Sequence, residues 1–174
     1  MQREYDASII IRAFNEAEWL PAVFAALERQ AGRVRYEVVL VDSGSTDDTV
    51  AIARRSGARV VFIPKEQFSF GRSLNIGCEA ALGRALVILS AHCVPVGDRW
   101  LEALVAPLLD GHCGYSYGRQ LPHALSKYSE ARLFEKFFPA TSSVPIGGIF
   151  CNNANAAVLR DLWDRNRFDE ALTG

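Results

Sequence analysis

Val38-Val39-Leu40-Val41-Asp42-Ser43-Gly44-Ser45-Thr46-Asp47-Asp48-Thr49 decides the fold. Four apolar residues stop at a carboxylate, a short polar segment with one glycine follows, and an Ala- and Arg-rich stretch of helical character comes next. A short apolar run bounded in this way suits a strand buried on both faces, and Thr46 or Asp47 is placed to cap the helix after it. Asp42 then stands at the carboxyl end of a strand, which in an open α/β sheet is the edge where ligands bind. The expectation is that its side chain projects from the sheet rim into a cleft.

The same alternation extends in both directions. Ala7 to Phe14 reads as a first strand, and Asn15-Glu16 opens a helix in which Leu20, Val23, Phe24 and Leu27 recur at helical spacing. Glu37 to Asp42 and Asp48 to Ser56 repeat the pattern. Ala58 to Ile63 repeats it again, with a helix from about Arg72 to Leu82. A fourth strand, Ala85 to Leu89, stops at Ser90-Ala91-His92-Cys93-Val94-Pro95, and Asp98 is expected to cap a helix carrying Trp100, Leu101, Leu104, Val105 and Leu108. Beyond Gly114, Tyr115 to Gly118 suggests a strand, Leu125 to Phe138 an amphipathic helix, Gly147-Gly148 a lead into Ile149 to Ala157, and Val158 to Asn166 a last helix. Strands alternating with helices predict an α/β fold, a Rossmann-like, mostly parallel sheet flanked by helices.

At 174 residues and 49% hydrophobic content the chain can bury one substantial core and is read as a single domain, 1–174. A formal charge of −1 gives no reason to expect nucleic acid, and Arg54, Arg55 and Arg59 read as a solvated helix face. The cysteines, Cys78, Cys93, Cys113 and Cys151, form no C-x-x-C pair, so a reducing compartment is the simpler expectation. No apolar stretch reaches the roughly 20 residues needed to span a bilayer. The sequence reads as soluble and cytoplasmic, with the inner face of a membrane reached only through further segments or a bound partner. A dinucleotide oxidoreductase would carry G-x-G-x-x-G where this chain has Arg12-Ala13-Phe14-Asn15-Glu16.

Several motifs, in order, resemble those of the nucleotide-sugar-dependent glycosyltransferases of family 2, which have the GT-A fold. Ile11-Arg12-Ala13-Phe14-Asn15-Glu16 is similar to that family's first strand and N-E turn, and Val41 to Thr49 to its V-D-x-G-S-x-D-x-T signature. Phe70-Gly71-Arg72-Ser73-Leu74-Asn75-Ile76-Gly77 resembles its third block. Tyr117-Gly118-Arg119-Gln120-Leu121-Pro122 and Asn153-Ala154-Asn155-Ala156 resemble a bacterial branch labelled rhamnosyltransferase-like. The resemblance implies a nucleotide-sugar-binding half, 1–112, and an incomplete acceptor-side half, 113–174. It implies inverting transfer of a sugar from a nucleoside-diphosphate donor to a hydroxyl of a glycan or lipid-linked acceptor, in bacterial cell-surface polysaccharide or glycoconjugate synthesis. It also admits a homo-oligomer.

The resemblance assigns roles residue by residue. Asp42 accepts an N–H from the nucleobase, a charge-assisted bond worth roughly 1.5 to 3 kcal/mol. Asn15, Glu16 and Ser45 lie beside the nucleotide. Arg72 and Asn75 reach the ribose or diphosphate, arginine being suited to phosphate oxygens. Arg119, Asn153 and Asn155 face the acceptor or donor sugar. Ser90, Ala91 and His92 stand where the family has an acidic cluster that holds Mn²⁺ or Mg²⁺ against the diphosphate. His92 is the metal candidate, but hard divalent ions prefer oxygen, so affinity falls unless Ser90 or a later residue contributes. The catalytic base is expected beyond Gly174, and neither Asp169 nor Glu170 is assigned that role. A binding module without catalysis is the alternative. Phe68 and Phe70 flank a loop that either closes over a donor or packs beneath it, while Tyr115, Tyr117 and the Tyr128 to Phe138 aromatics are expected in the core or at a subunit contact.

Overall fold

The structure is a computed structural model and describes residues 4–122, 127–138, 140–142 and 153–171. Ile9, Ile10 and Ile11 are all fully buried, so the first strand has apolar partners on both faces and needs a helical layer on each side. That strand, β1 (Tyr5–Ala13), lies mid-sheet between β2 (Tyr36–Asp42) and β4 (Gly83–Ser90), both parallel to it, with β3 (Arg59–Phe62) parallel to β2 at one edge. β6 (Asn155–Leu159) runs antiparallel to β4, and β5 (Tyr115–Tyr117) antiparallel to β6, giving the order β3-β2-β1-β4-β6-β5. The chain moves outward from β1 to β3 and then returns to the other side of β1 as β4. The carboxyl ends of β1 and β4 therefore flank a topological switch point, the expected place for a ligand crevice.

Helices α1 (Leu20–Glu28), α2 (Thr49–Arg55) and α4 (Trp100–Leu109) pack on one face through Leu20, Val23, Leu27, Ala53, Leu104 and Leu108. α3 (Phe70–Ala80) and α6 (Arg160–Arg165) cover the other face with Leu74, Cys78 and Trp163. A further helix, α5 (Tyr128–Phe137), carries exposed Tyr128, Leu133 and Phe137, while Tyr115 packs against the second core cluster and Tyr117 lies edge-on to Phe138.

Four local expectations need correction, the first being that Val158 and Leu159 end β6 rather than open the last helix, which starts at Arg160. Asn15-Glu16 does not open a helix, because α1 begins only at Leu20 and the backbone amides of residues 15–17 are bound by side chains of another loop. Asp98 does not cap α4; its N-cap, Arg99, makes no side-chain cap bond, and Gln30 Oε1 accepts from the Leu101 amide instead. α3 starts at Phe70, two residues earlier than expected, because Ser69 Oγ accepts from the Arg72 amide as a helix cap. Arg54 and Arg55 are exposed in the last turn of α2, as expected of a solvated helix face, whereas Arg59 opens β3 and pairs with Glu37 Oε2 at 2.6 Å. Gly147-Gly148, Cys151 and the start of the strand expected at 149 lie outside the described residues, as do Leu125 and Ser126 of the expected amphipathic helix. No described helix is long and apolar enough to cross a membrane.

Candidate functional site

Two loops meet at the carboxyl ends of β1 and β2, and their side chains hold one another. Asn15 takes a left-handed conformation with φ of 56°, which asparagine tolerates better than most residues. Its amide donates to Ser45 Oγ at 2.9 Å, and its Oδ1 accepts from the Thr46 amide at 2.8 Å. The Glu16 amide donates to Thr49 Oγ1 at 2.7 Å and the Ala17 amide to Asp47 Oδ2 at 3.1 Å. Ser43 returns the interaction, its amide donating to the Ala13 carbonyl at 3.1 Å. The N-cap of α2 is Asp48, without a side-chain cap bond, so neither Thr46 nor Asp47 is the cap residue; Asp47 Oδ1 accepts from the Thr49 amide two residues on, in a local turn. The Thr49 hydroxyl is the first cause holding the Asp47 carboxyl below its usual range, with the Thr49 and Ala17 amides adding to it and desolvation opposing.

Asp42 does not project freely: it is 1% exposed. Its Oδ1 accepts from the Gly44 and Ser45 amides at 3.0 and 3.1 Å, a turn that Gly44 permits with φ of 96°. Its Oδ2 is buried and has no hydrogen-bond partner among the described residues. A buried carboxylate oxygen left unpaired is unfavourable, and a donor brought by a ligand would satisfy it. A cavity of about 300 Å³ next to Asp42 in the chain is lined by Phe14, Ser43, Lys65 and Phe68. Lys65 Nζ lies 5.0 Å from the centre of the Phe14 ring. Phe68 meets Phe70 edge-on at 5.4 Å between ring centres, so both aromatics border this cavity's side of the sheet, and both are partly exposed. Phe14, Ser43 and Lys65 are lining residues that sequence reasoning missed. Strand alternation held the signal, since Phe14 is the first residue past β1 and repeats the side of Arg12.

At the end of β4, His92 Nε2 lies 3.1 Å from Ser90 Oγ and Nδ1 lies 3.6 Å from Glu16 Oε1. Ala91 is buried. The expected metal position thus offers one carboxylate, one imidazole and one hydroxyl. No group of three His, Cys, Asp or Glu side chains converges among the described residues. Mg²⁺ and Mn²⁺ favour several oxygen ligands, so these residues do not fit a metal centre built by the protein.

In the third sequence block, Asn75 and two glycines are engaged in packing. Asn75 Nδ2 donates to the Phe168 carbonyl at 3.0 Å and to Glu170 Oε1 at 2.9 Å, while its Oδ1 accepts from Trp163 Nε1 and the Phe168 amide, both at 3.1 Å. Its amide is fully engaged in pinning residues 163–170 to α3. A Cβ on Gly71 would lie 2.0 Å from the Asp169 carbonyl oxygen, and one on Gly77 2.5 Å from Ile10 Cγ2, so both glycines admit close neighbours. Arg72 is exposed. Asn155 is likewise engaged: Oδ1 accepts from Trp100 Nε1 at 3.0 Å, and Nδ2 donates to the Arg119 carbonyl at 3.3 Å. Arg119 is exposed beyond β5, and Asn153 precedes β6 half-buried. Sequence reasoning also missed Arg160, which is buried and donates to the carbonyls of Gly83, Cys78 and Ala81. The structure therefore gathers Asn15, Glu16, Asp42, Ser45, Ser90 and His92 at one sheet edge, while the side chains of Asn75 and Asn155 are held within the protein.

The family described as Glycosyl transferase family 2 matches residues 8–165. The uncharacterized glycosyltransferase Rv0539 of Mycobacterium tuberculosis is 36% identical over 118 residues, covering 67% of this chain and 50% of its own length. Glycosyltransferase AglE of Haloferax volcanii is 34% identical over 106 residues, covering 58% of this chain and 34% of its own. The chain thus spans half or less of the length of these curated relatives. Among solved structures, the mannosyltransferase PcManGT from Pyrobaculum calidifontis, in complex with GDP-Man and Mn²⁺, superposes with a TM-score of 0.70 at 20% identity, covering 99% of this chain and 49% of that one. Glucosyl-3-phosphoglycerate synthase from Mycobacterium tuberculosis, in complex with UDP, gives a TM-score of 0.63 at 22% identity, covering 91% and 58%. At these identities the likeness shows a shared α/β fold.

Proposed function

The chain belongs to glycosyl transferase family 2, and from that membership we propose that it binds a nucleoside-diphosphate sugar across the carboxyl ends of β2, β1 and β4 and presents it to an acceptor hydroxyl. The observation that carries this reading is the buried Oδ2 of Asp42, which has no hydrogen-bond partner among the described residues, one residue before Ser43 of a cavity walled by Phe14, Ser43, Lys65 and Phe68. A uracil, thymine or guanine edge offers the N–H that Oδ2 lacks, and an aromatic wall suits the face of a planar base. The Asn15, Ser45, Asp47 and Thr49 contacts fix the two loops in advance, so little ordering accompanies binding.

In the reaction, the acceptor oxygen bonds to the anomeric carbon as the bond to the diphosphate breaks. The hydroxyl proton goes to a general base, the configuration inverts, and the nucleoside diphosphate leaves. Among the described residues, Asp169 Oδ1 accepts from the Ala171 amide and Glu170 binds Asn75, so neither is given the role of base. Arg119, Asn153 and Asn155 are assigned to the acceptor or donor-sugar side, and the rhamnosyltransferase-like motifs support a role in bacterial cell-surface polysaccharide or glycoconjugate synthesis. The family's Mn²⁺ or Mg²⁺ has no fitting centre among the described residues, so no step is drawn through it.

That same donor set, with one carboxylate beside His92 and Ser90, favours a second reading: donor binding without turnover. Calorimetry with a panel of nucleotide sugars, with and without Mn²⁺, paired with donor hydrolysis and transfer assays, tests both. Binding with turnover supports the transferase. Tight binding without turnover supports the second reading, and absence of donor binding contradicts both.

A further inference from the structure

Arg12 is the one residue of β1 whose charge its surroundings leave unanswered. It is the penultimate residue of the strand, aligned with Val41 on one side and Ser90 on the other. Alternation along the strand puts it on the same face as Phe14, which lines the cavity. Its guanidinium carbon lies 4.7 Å from the centre of the Phe70 ring, which is 44% exposed, and Arg12 itself is half-buried. No carboxylate among the described residues forms an ion pair with it, and burial pulls its pKa down without an opposing acidic neighbour. The other cations of this edge differ: Lys65 and Arg72 are exposed and already solvated.

A desolvated guanidinium without a counter-charge is unfavourable in the empty protein and is relieved by an anion. Ser90, directly across from Arg12, begins the Ser90-Ala91-His92 segment where the donor set does not suit a hard cation. Arg12 is aligned with Val41 and Ser90 and shares their face of the sheet, whereas Asp42 is aligned with Ala13 and leaves the sheet on the other face, so Arg12 and Phe14 meet a ligand at the carboxyl ends of β1 and β4 from the α3 side. Guanidinium binds phosphate oxygens in a two-pronged geometry that an ammonium lacks. Resting on the reading of this cleft as a nucleotide-sugar site, we infer that Arg12 binds the diphosphate of the donor and supplies a fixed positive charge to it.

The test compares the unmodified chain with Arg12→Gln and Arg12→Lys by calorimetry, using UDP, GDP and dTDP and the nucleosides uridine, guanosine and thymidine. The unmodified chain is expected to bind one diphosphate more tightly than its nucleoside. Arg12→Gln should weaken that diphosphate about 10- to 100-fold while leaving the nucleoside unchanged, and Arg12→Lys should fall between. Unchanged nucleoside affinity also shows that the cleft is intact in the variants. Diphosphate affinity equal to the unmodified chain's, or equal losses for diphosphate and nucleoside, overturns the inference. An unmodified chain that binds none of the six compounds removes the cleft reading itself and the role of Arg12 with it.

Discussion

Asn75 shows how a residue type shared with ligand sites can be employed inside the fold. Its amide makes four hydrogen bonds, to the Phe168 backbone at both N–H and C=O, to Glu170 and to Trp163, and each partner belongs to the segment that crosses α3. Replacing it with alanine leaves several of these groups unpaired, at about 1 to 3 kcal/mol for a buried group without a partner. Asn75→Ala should therefore lower stability by roughly 2 to 4 kcal/mol in urea unfolding, while nucleotide affinity under native conditions stays within about twofold, a change of only about 0.4 kcal/mol. Unchanged stability with lost nucleotide binding would instead make Asn75 a ligand-contacting residue. Sequence alone offered asparagine near a helix start and no means of telling a staple from a ligand, because the partners lie 88 to 95 positions away. Arg160 escaped notice for the same reason, since a buried arginine binding distant carbonyls has no local signature.

At the scale of elements, the packing of α3 on the sheet and the interlocked loops give separate expectations. Gly77 brings α3 so near β1 that an added methyl would sit 2.5 Å from Ile10 Cγ2 and 2.9 Å from Val41 Cγ2. Both neighbours are fully packed core side chains, so Gly77→Ala should destabilise the fold by about 1 to 3 kcal/mol despite the better helix propensity of alanine, as read by chemical unfolding. No loss would show that α3 can move outward at little cost. Asp47 gives a pH-dependent counterpart. Its carboxyl is held below the usual range, so the folded state favours the ionised form. The stability it contributes is present above the unfolded aspartate pKa near 3.9 and is lost as pH falls through its lower folded value. The stability difference between the unmodified chain and Asp47→Asn should be full at and above about pH 5 and shrink on acidification below roughly pH 4. A difference that is flat or grows in that window contradicts the assignment. Strand and helix order was legible here because periodicity is local. The delayed start of α1 was not, since it depends on Ser45, Asp47 and Thr49 reaching across from the next loop.

For the whole molecule, the crevice follows from strand order, with β1 and β4 parallel and the chain reversing direction across them. Alternating elements announced a parallel sheet with a ligand edge, and β1 to β4 form it. The antiparallel β6 between β4 and β5 rests on long-range pairing that no local pattern encodes. The position of Asp42 at the strand end was likewise legible, whereas its burial and the division of work between its two oxygens were not, because both depend on how the β1 and β2 loops close together. Asp42→Asn keeps an oxygen for the Gly44 and Ser45 amides and puts an N–H donor where the free carboxylate oxygen stood. Titrating UDP, GDP and dTDP into the unmodified chain and into Asp42→Asn, with circular dichroism confirming the same fold, therefore tests the central claim most directly. One diphosphate should bind the unmodified chain and bind the variant about 10- to 100-fold more weakly. Equal affinity in the two proteins would contradict it.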